Sequence, residues 1–376
     1  MFFRTQKGTD YMKLTALDYA RLACDTMMDN YVPDKPREAG LLEYFNYHDG
    51  VFLSGMEKVY ELTQDEKYYN AIKYWVDRFV DEDGNLLKAR INQLDDLMPT
   101  RLMIKLYEKT GDERYKKVLD FTMGLYKNWA VNEYGGFWHK DIDPNQMWLD
   151  SLYMGCPNLV LYAEKFGGQE LLDIVYLQMK LMWDNMRDER TGLLYHCWDP
   201  SKKAPWSDPK TGLAPEFWGR ALGWYAVTVF DLASHMPDSY AKKQEFINNG
   251  IELIKAIISY RDEKTKKWFQ IVNRGNDPEN WIETSCSCLY TYAIAKGVNE
   301  GYLDESYRQI ARECYEGIIN DIKVDGDKIE IEDICIGTGV MSYDKYLQRP
   351  RKTNDQHGMG AFVLMCSEYY KLMTNA

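Results

Sequence analysis

Residues Tyr60–Tyr68 read YELTQDEKY and residues Tyr107–Tyr115 read YEKTGDERY. The two segments lie 47 residues apart and share Tyr, Glu, Thr, Asp, Glu and Tyr at matching positions. Each ends one apolar helix pattern and opens another. Tyr68, Ile72, Trp75, Val76 and Phe79 follow the first, and Tyr115, Val118, Leu119 and Tyr126 follow the second. Both sets have the three-and-four spacing of one buried helix face. The repeated unit is therefore a helical hairpin with a tight turn.

Extending that template predicts first helices near 50–62, 95–108, 148–165, 217–235, 282–297 and 357–373. Second helices are predicted near 67–81, 113–128, 169–187, 241–260 and 303–321, and an amphipathic helix at 10–29 serves as the missing partner of the last. Six hairpins closed in a ring make an all-α (α/α)6 barrel, a single domain over 1–376. An open solenoid would need polar end caps, and the final stretch GMGAFVLMCSEYYKL is too apolar to be one. Links from first to second helix are short. Links from second to first are long, at 129–147, 188–216, 261–281 and 322–356. The long loops thus gather at one end, with the N-termini of the inner helices, where free N–H groups favour an anion. That mouth is the expected site. Small β pieces are expected within these loops, at KWFQIVN (267–273) and DKIEI (327–331).

Composition narrows the function. The 376 residues carry 46 basic and 58 acidic side chains, a net charge of −12, with no basic stripe. That argues against nucleic acid or an anionic membrane surface as partner. No apolar run approaches the ~20 residues that span a bilayer. The first residues, MFFRTQKGTDYMKLT, lack a signal-peptide core, so a cytoplasmic location is expected. Eight scattered cysteines fit buried free thiols rather than a disulfide framework or zinc ribbon. The 11 Trp and 29 Tyr suit either a carbohydrate cleft or aromatic helix packing. Five widely spread histidines argue against a metal site, and HExxH, Walker and G-x-S-x-G patterns are absent.

Three segments could carry chemistry. In GGFWHKDIDPNQMWLDSLYMGCP (135–157), Asp150 stands among Trp148, Leu149, Leu152 and Tyr153. It reads either as a first-turn dipole partner or as a carboxyl whose pKa an apolar setting raises into the range of a general acid. One hairpin earlier, NQLDDLMP (92–99) offers Asp95 and Asp96, one of them a cap. Two carboxylates at neighbouring mouths would share a field that raises one and keeps the other ionised. In EFWGRALGWY (216–225), Arg220 between Trp218 and Trp224 could receive a substrate carboxylate or serve as a cation–π packing residue. His139, His196, Tyr47 and His48 fall at the same end.

Together these segments resemble glycoside hydrolase family 105, the unsaturated rhamnogalacturonyl hydrolases. The resemblance runs from about Tyr44 to the C-terminus through YHDGVFLSG, LDDLMP, GGFWHK, QMWLDSLYMGCP, YHCWDP, EFWGRALGWY, ETSCSCLYTYAIAKG, GTGV and NDQHGMGAF. It implies an (α/α)6 barrel with Asp150 as catalytic aspartate and Asp95 as its partner. It also implies substrate contacts from Tyr47, His139, Lys140, Trp148, His196, Arg220 and Trp224. The implied reaction needs no metal or organic cofactor. Asp150 would protonate C4 of a C4=C5 unsaturated uronic acid and then take a proton from water attacking C5, and the hemiketal would open to release the other sugar. The substrate would be a small anionic disaccharide or oligosaccharide of rhamnogalacturonan type. Two departures, Thr100 after the Leu-Asp motif and Cys286 in ETSCS, are expected to reshape the subsite beside the unsaturated sugar. The competing readings are a sugar epimerase on the same barrel, which wants several histidines round the ring, and a non-catalytic carbohydrate-binding protein.

Overall fold

The structure is a computed structural model that describes residues 2–3, 12–33 and 44–374. Its helices are α1 (Ala16–Met27), α2 (Tyr47–Thr63), α3 (Glu66–Asp77), α4 (Leu102–Thr110), α5 (Glu113–Lys127), α6 (Leu149–Phe166), α7 (Gln169–Met186), α8 (Gly219–His235), α9 (Lys243–Ser259), α10 (Thr284–Asn299), α11 (Tyr307–Ile319), α12 (Tyr343–Leu347) and α13 (Gln356–Thr374). The chain of inner contacts runs from α2 to the turn before α4, then α6, α8, α10 and α13, and back to α2. Each inner helix packs on one outer partner: α3, α5, α7, α9, α11 and, for α13, α1. This is the closed six-hairpin ring. Burial separates the layers: α8 and α10 are buried on nearly every side, whereas α3 and α11 bury one stripe.

The repeated segments build two near-identical turns. Gln64 (φ 54°) and Gly111 (φ 66°) take the left-handed conformation that ends a helix. Asp65 and Asp112 then cap α3 and α5 by accepting from the backbone N–H of Lys67 and Arg114. Thr63 and Thr110 each donate back four residues, to Val59 and Leu106. A Cβ on Gly111 would meet nothing within 4 Å, so the glycine serves the backbone angle and not packing.

Three predicted elements differ. The helix over 95–108 is broken into two 3-10 turns, Leu94–Asp96 and Met98–Arg101, before α4 begins. Pro99 lacks the N–H that would continue an α-helix, and its ring packs against Gly50, where a Cβ would come within 2.7 Å. The segment 267–273 forms only isolated bridges, Ile271 with Trp218 and Phe269 with Ile282. The 327–331 segment does form a strand, Lys328–Glu330, paired with Lys323–Asp325. The first helix starts at Ala16, after Met12–Lys13 pairs with Phe2–Phe3; positions 10 and 11 of the predicted span lie outside the described residues. All eight cysteines are buried and free. Among the described residues no helix is long and apolar enough to cross a membrane.

At the end of the barrel axis opposite the long loops, the inner helices bring Glu57, Arg101, Tyr153, Asp231, Lys296 and Glu368 round a small cavity of about 140 Å³. Burial there pushes the Glu57 carboxyl up to about 7, against the pull of Lys58.

Candidate active site

The loop end holds a cavity of about 460 Å³. Its wall includes Tyr47, Asp95, His139, Lys140, Trp148, Asp150, Arg220 and Trp224. Of the residues predicted from sequence, only His196 stands behind the wall, 3.3 Å from the Asp150 carboxylate.

Two strand contacts set the carboxylates. Met147–Trp148 pairs antiparallel with Cys197–Trp198, and Leu149 donates its N–H to the His196 carbonyl (3.1 Å). That ribbon delivers Asp150, in the first turn of α6, to the His196 ring. Gln93 bridges Lys140, and Leu94 donates to the His139 carbonyl (3.1 Å). Asp95 therefore lies 3.3 Å from both His139 Nε2 and Lys140 Nζ. Asp96 instead accepts from the backbone N–H (3.1 Å) and Nε (3.0 Å) of Arg90. Of the two candidates in the Leu-Asp motif, Asp95 is the one that meets His139 and Lys140.

The imidazoles are gripped by rings. His139 stacks on Trp148 (4.6 Å between centroids), Trp148 meets His196 edge-on (5.5 Å), and His196 lies against Trp218 (4.7 Å). His139 Nδ1 sits 3.0 Å from Ser151 Oγ, and His196 Nδ1 sits 2.7 Å from Tyr346 Oη. Each ring thus has one nitrogen held by a hydroxyl and the other aimed at a carboxylate. The Asp150–His196 approach is close but off-axis, and Asp150 Oδ2 and His196 Nε2 are both buried without a hydrogen bond.

The electrostatics correct one expectation. Burial raises the Asp150 carboxyl, but His196 and then His139 outweigh it, and the carboxyl ends below its ordinary value. Burial likewise raises Asp95, and His139 and Lys140 carry it well below the carboxylate range. The mutual repulsion exists, since Asp95 pushes Asp150 up, yet it is weaker than burial and than the pull of His196 and His139. Both carboxylates rest ionised, contrary to a single raised acid, because the neighbouring imidazoles and ammonium outweigh the apolar surroundings.

Arg220 makes the cation–π contact that was one of its two readings. It lies 4.7 Å over the Trp218 ring, while Trp224 stacks on Tyr153 (4.3 Å). Its fork donates to the backbone carbonyls of Cys335 and Ile336. Glu283, the N-cap of α10, accepts from the N–H of Cys335 (2.9 Å), in the short strand Ile334–Cys335. Together they clamp the segment that carries Gly337, Thr338 and Gly339 into the cavity wall. Arg220 lines the cavity as a positive charge whose planar fork is already engaged.

The two departures from the family pattern do not reach the cavity. Thr100 is buried and donates to the Leu97 carbonyl (2.8 Å). Cys286 packs between α8 and α10, where a Cβ on Gly219 would come within 2.9 Å of its sulfur. Four of the five histidines, far apart in sequence, converge: His48, His139 and His357 line the cavity and His196 backs it, while His235 lies at the other end beside Glu164. Burial, and then His357, lower His48 to about 3. Among the described residues no group of three His, Cys, Asp or Glu is placed to hold a metal. Sequence reasoning singled out neither His357 nor Tyr346; the segment NDQHGMGAF was the available signal for the first.

Residues 19–373 match the sequence profile of Glycosyl Hydrolase Family 88. A solved structure of a family 105 glycoside hydrolase from C. acetobutylicum ATCC 824 superposes with a TM-score of 0.89 at 34% identity, covering 94% of this chain and 99% of its own. The unsaturated rhamnogalacturonyl hydrolase YesR of Bacillus subtilis (strain 168) is 25% identical over 338 residues, covering 87% of this chain and 90% of itself. The unsaturated 3S-rhamnoglycuronyl hydrolase of Formosa agariphila is 24% identical over 346 residues, with 87% and 85% coverage. With a profile that spans nearly the whole chain and a barrel that superposes end to end, the chain is an enzyme that belongs to Glycosyl Hydrolase Family 88, of the family 105 type.

Proposed function

We propose that the enzyme releases a 4-deoxy-4,5-unsaturated uronic acid from the non-reducing end of lyase-generated rhamnogalacturonan-type disaccharides and short oligosaccharides. The observation that carries this reading is the placement of Asp150. Its carboxylate is buried, faces a sugar-sized cavity, and shares that cavity with Asp95, Lys140 and Arg220. The names of the relatives support the substrate class: one acts as an unsaturated rhamnogalacturonyl hydrolase and one as an unsaturated 3S-rhamnoglycuronyl hydrolase.

Asp150 is the acid/base. A uronate bound beside it adds negative charge and excludes water, both of which drive the carboxyl back up toward a protonated form. It then protonates C4 of the enol ether; the Asp150 carboxylate so formed takes one proton from water as the water oxygen bonds to C5, whose positive charge the ring oxygen stabilises; and the hemiketal opens to release the other sugar. Standard glycoside hydrolysis needs two carboxyl groups acting at the anomeric carbon, whereas Asp95 here is tied to His139 and Lys140. Asp95 orders those two cavity groups. Lys140, Arg220 and the first turns of α2, α6 and α8 oppose the net negative chain and receive the anion.

The test is isotopic. Reaction in heavy water should place deuterium at C4 of the product, and oxygen-18 from water should appear at C5. The alkene absorbance should vanish in step with sugar release, and saturated disaccharides should be inert. Comparable cleavage of the saturated compound, or no deuterium at C4, overturns the mechanism.

A further inference from the structure

A second hydrogen-bonded chain ends in the same cavity. Asp355, just ahead of α13, lies 2.5 Å from His357 Nδ1, and its carboxylate also accepts the His357 backbone N–H (3.2 Å). On the far side of the ring, His357 Nε2 lies 2.7 Å from Tyr47 Oη. Tyr47 opens α2 and lines the cavity. Three residues from opposite ends of the chain thus form a relay from a half-buried carboxylate to a cavity hydroxyl.

The relay has a direction. An ionised carboxylate accepts only, and Asp355 stays ionised: burial raises it, but His357 holds it at about 2. His357 Nδ1 must therefore carry the proton. Burial, and after it Arg220 of α8, disfavour a charged His357, opposed by Asp355 and by Glu283 of α10. The His48 ring of α2, itself neutral, packs edge-on at 4.4 Å. A neutral ring protonated at Nδ1 offers Nε2 as an acceptor, so Tyr47 must donate its one proton to it. Tyr47 has only lone pairs left for the cavity. Gly337 lines the cavity beside this pair: a Cβ there would sit 3.5 Å from the His357 ring and 3.7 Å from Tyr47 Oη, in ordinary contact.

We propose that Asp355 and His357 are positioning residues that commit the Tyr47 hydroxyl to accept a hydrogen bond in the cavity, so that it binds a ring hydroxyl of the unsaturated sugar and not its carboxylate. This rests on the substrate class proposed above. The unsaturated ring carries free hydroxyls only at C2 and C3, and a carboxylate facing Tyr47 would set lone pair against lone pair.

Substitutions and deoxy substrates test it. Tyr47→Phe should raise KM about 5–10-fold, the worth of one net hydrogen bond. Asp355→Asn should raise KM comparably although Tyr47 is untouched, because an amide N–H facing Nδ1 moves the ring proton to Nε2 and reverses the relay. Asn is as good an N-cap as Asp, so α13 keeps its start. The double variant should be no worse than the worse single one. With a 2-deoxy or 3-deoxy unsaturated disaccharide, one of the two should make Tyr47→Phe silent. A folded Asp355→Asn enzyme with KM within twofold of wild type, losses that multiply, or Tyr47→Phe effects that survive in both deoxy substrates would overturn the relay. Nitrogen-15 NMR of the His357 ring decides the tautomer without substrate: a protonated Nδ1 is expected, and a protonated Nε2 sinks the proposal. Failure of the wild type to process the unsaturated disaccharide, by contrast, sinks the proposed function and leaves the NMR result standing.

Discussion

Replacing Asp150 by Asn should separate activity from folding. The amide matches the carboxylate in size but can neither give nor take the proton. Loss of a positioned general acid/base commonly costs 10²–10⁴-fold, or about 3–5 kcal/mol of barrier. The fold loses little. Asp150 Oδ2 makes no hydrogen bond, and an Asn oxygen can still face the His196 ring. The lost charge in the first turn of α6 is worth about 0.3–1 kcal/mol. Burying a carboxylate that is only 8% exposed has a cost, but the pull of His196 and His139 outweighs it, so removing the charge also loses that attraction. Tm should therefore fall modestly, far less than activity does. The assay follows the alkene absorbance at saturating substrate, with Tm measured on the same preparation. If more than a tenth of kcat survives, Asp150 is not the proton donor. If Tm collapses with activity, the residue is structural and the reasoning fails.

Asp95→Asn should weaken both activity and stability near pH 7, because His139 and Lys140 lose their common partner. Since the folded Asp95 carboxyl lies below its unfolded value, its contribution is full above about pH 4 and is lost as pH falls through the folded value, so the Tm gap to wild type should close toward acid; a constant gap refutes the pairing. Arg220→Lys should lower Tm as well as raise KM, because the forked grip on Cys335 and Ile336 is lost; an unchanged Tm would restore Arg220 to a purely substrate-facing role. Glu57→Gln should raise Tm at pH 8 and leave it unchanged at pH 4: the raised carboxyl contributes stability below about pH 4 that is lost as pH rises through about 7. A pH-independent difference would count against burial of the charge. Gln64→Gly should stabilise and Gly111→Ala destabilise, each by roughly 1 kcal/mol, since both positions need a left-handed backbone; equal denaturation midpoints would contradict the shared turn.

The ring of hairpins was legible because each helix carries its own three-and-four pattern and the turn segments repeat almost letter for letter. Asp150, Asp95, His139 and Trp148 could be read from local motifs, and the cavity gathers them. What local reading missed is set by long-range pairing. Nothing near Asp150 announces His196, which the ribbon of Trp148 with Cys197 brings in from a different loop. The apolar neighbours suggested a raised carboxyl, but His196, with His139, reversed the sign. Likewise the fork of Arg220 is occupied by carbonyls more than a hundred residues away, and Pro99 broke a helix whose hydrophobic spacing was otherwise continuous.

No hairpin owns the cavity. Tyr47 belongs to the first, Asp95 precedes the second, Asp150 opens the third, Arg220 the fourth, and His357 the last. The contact between α13 and α2 that closes the ring is also what puts His357 against Tyr47. Turnover is therefore a gauge of closure: a growing or refolding chain stays inert until α13 meets α2. Deleting any one hairpin should abolish activity at a stroke.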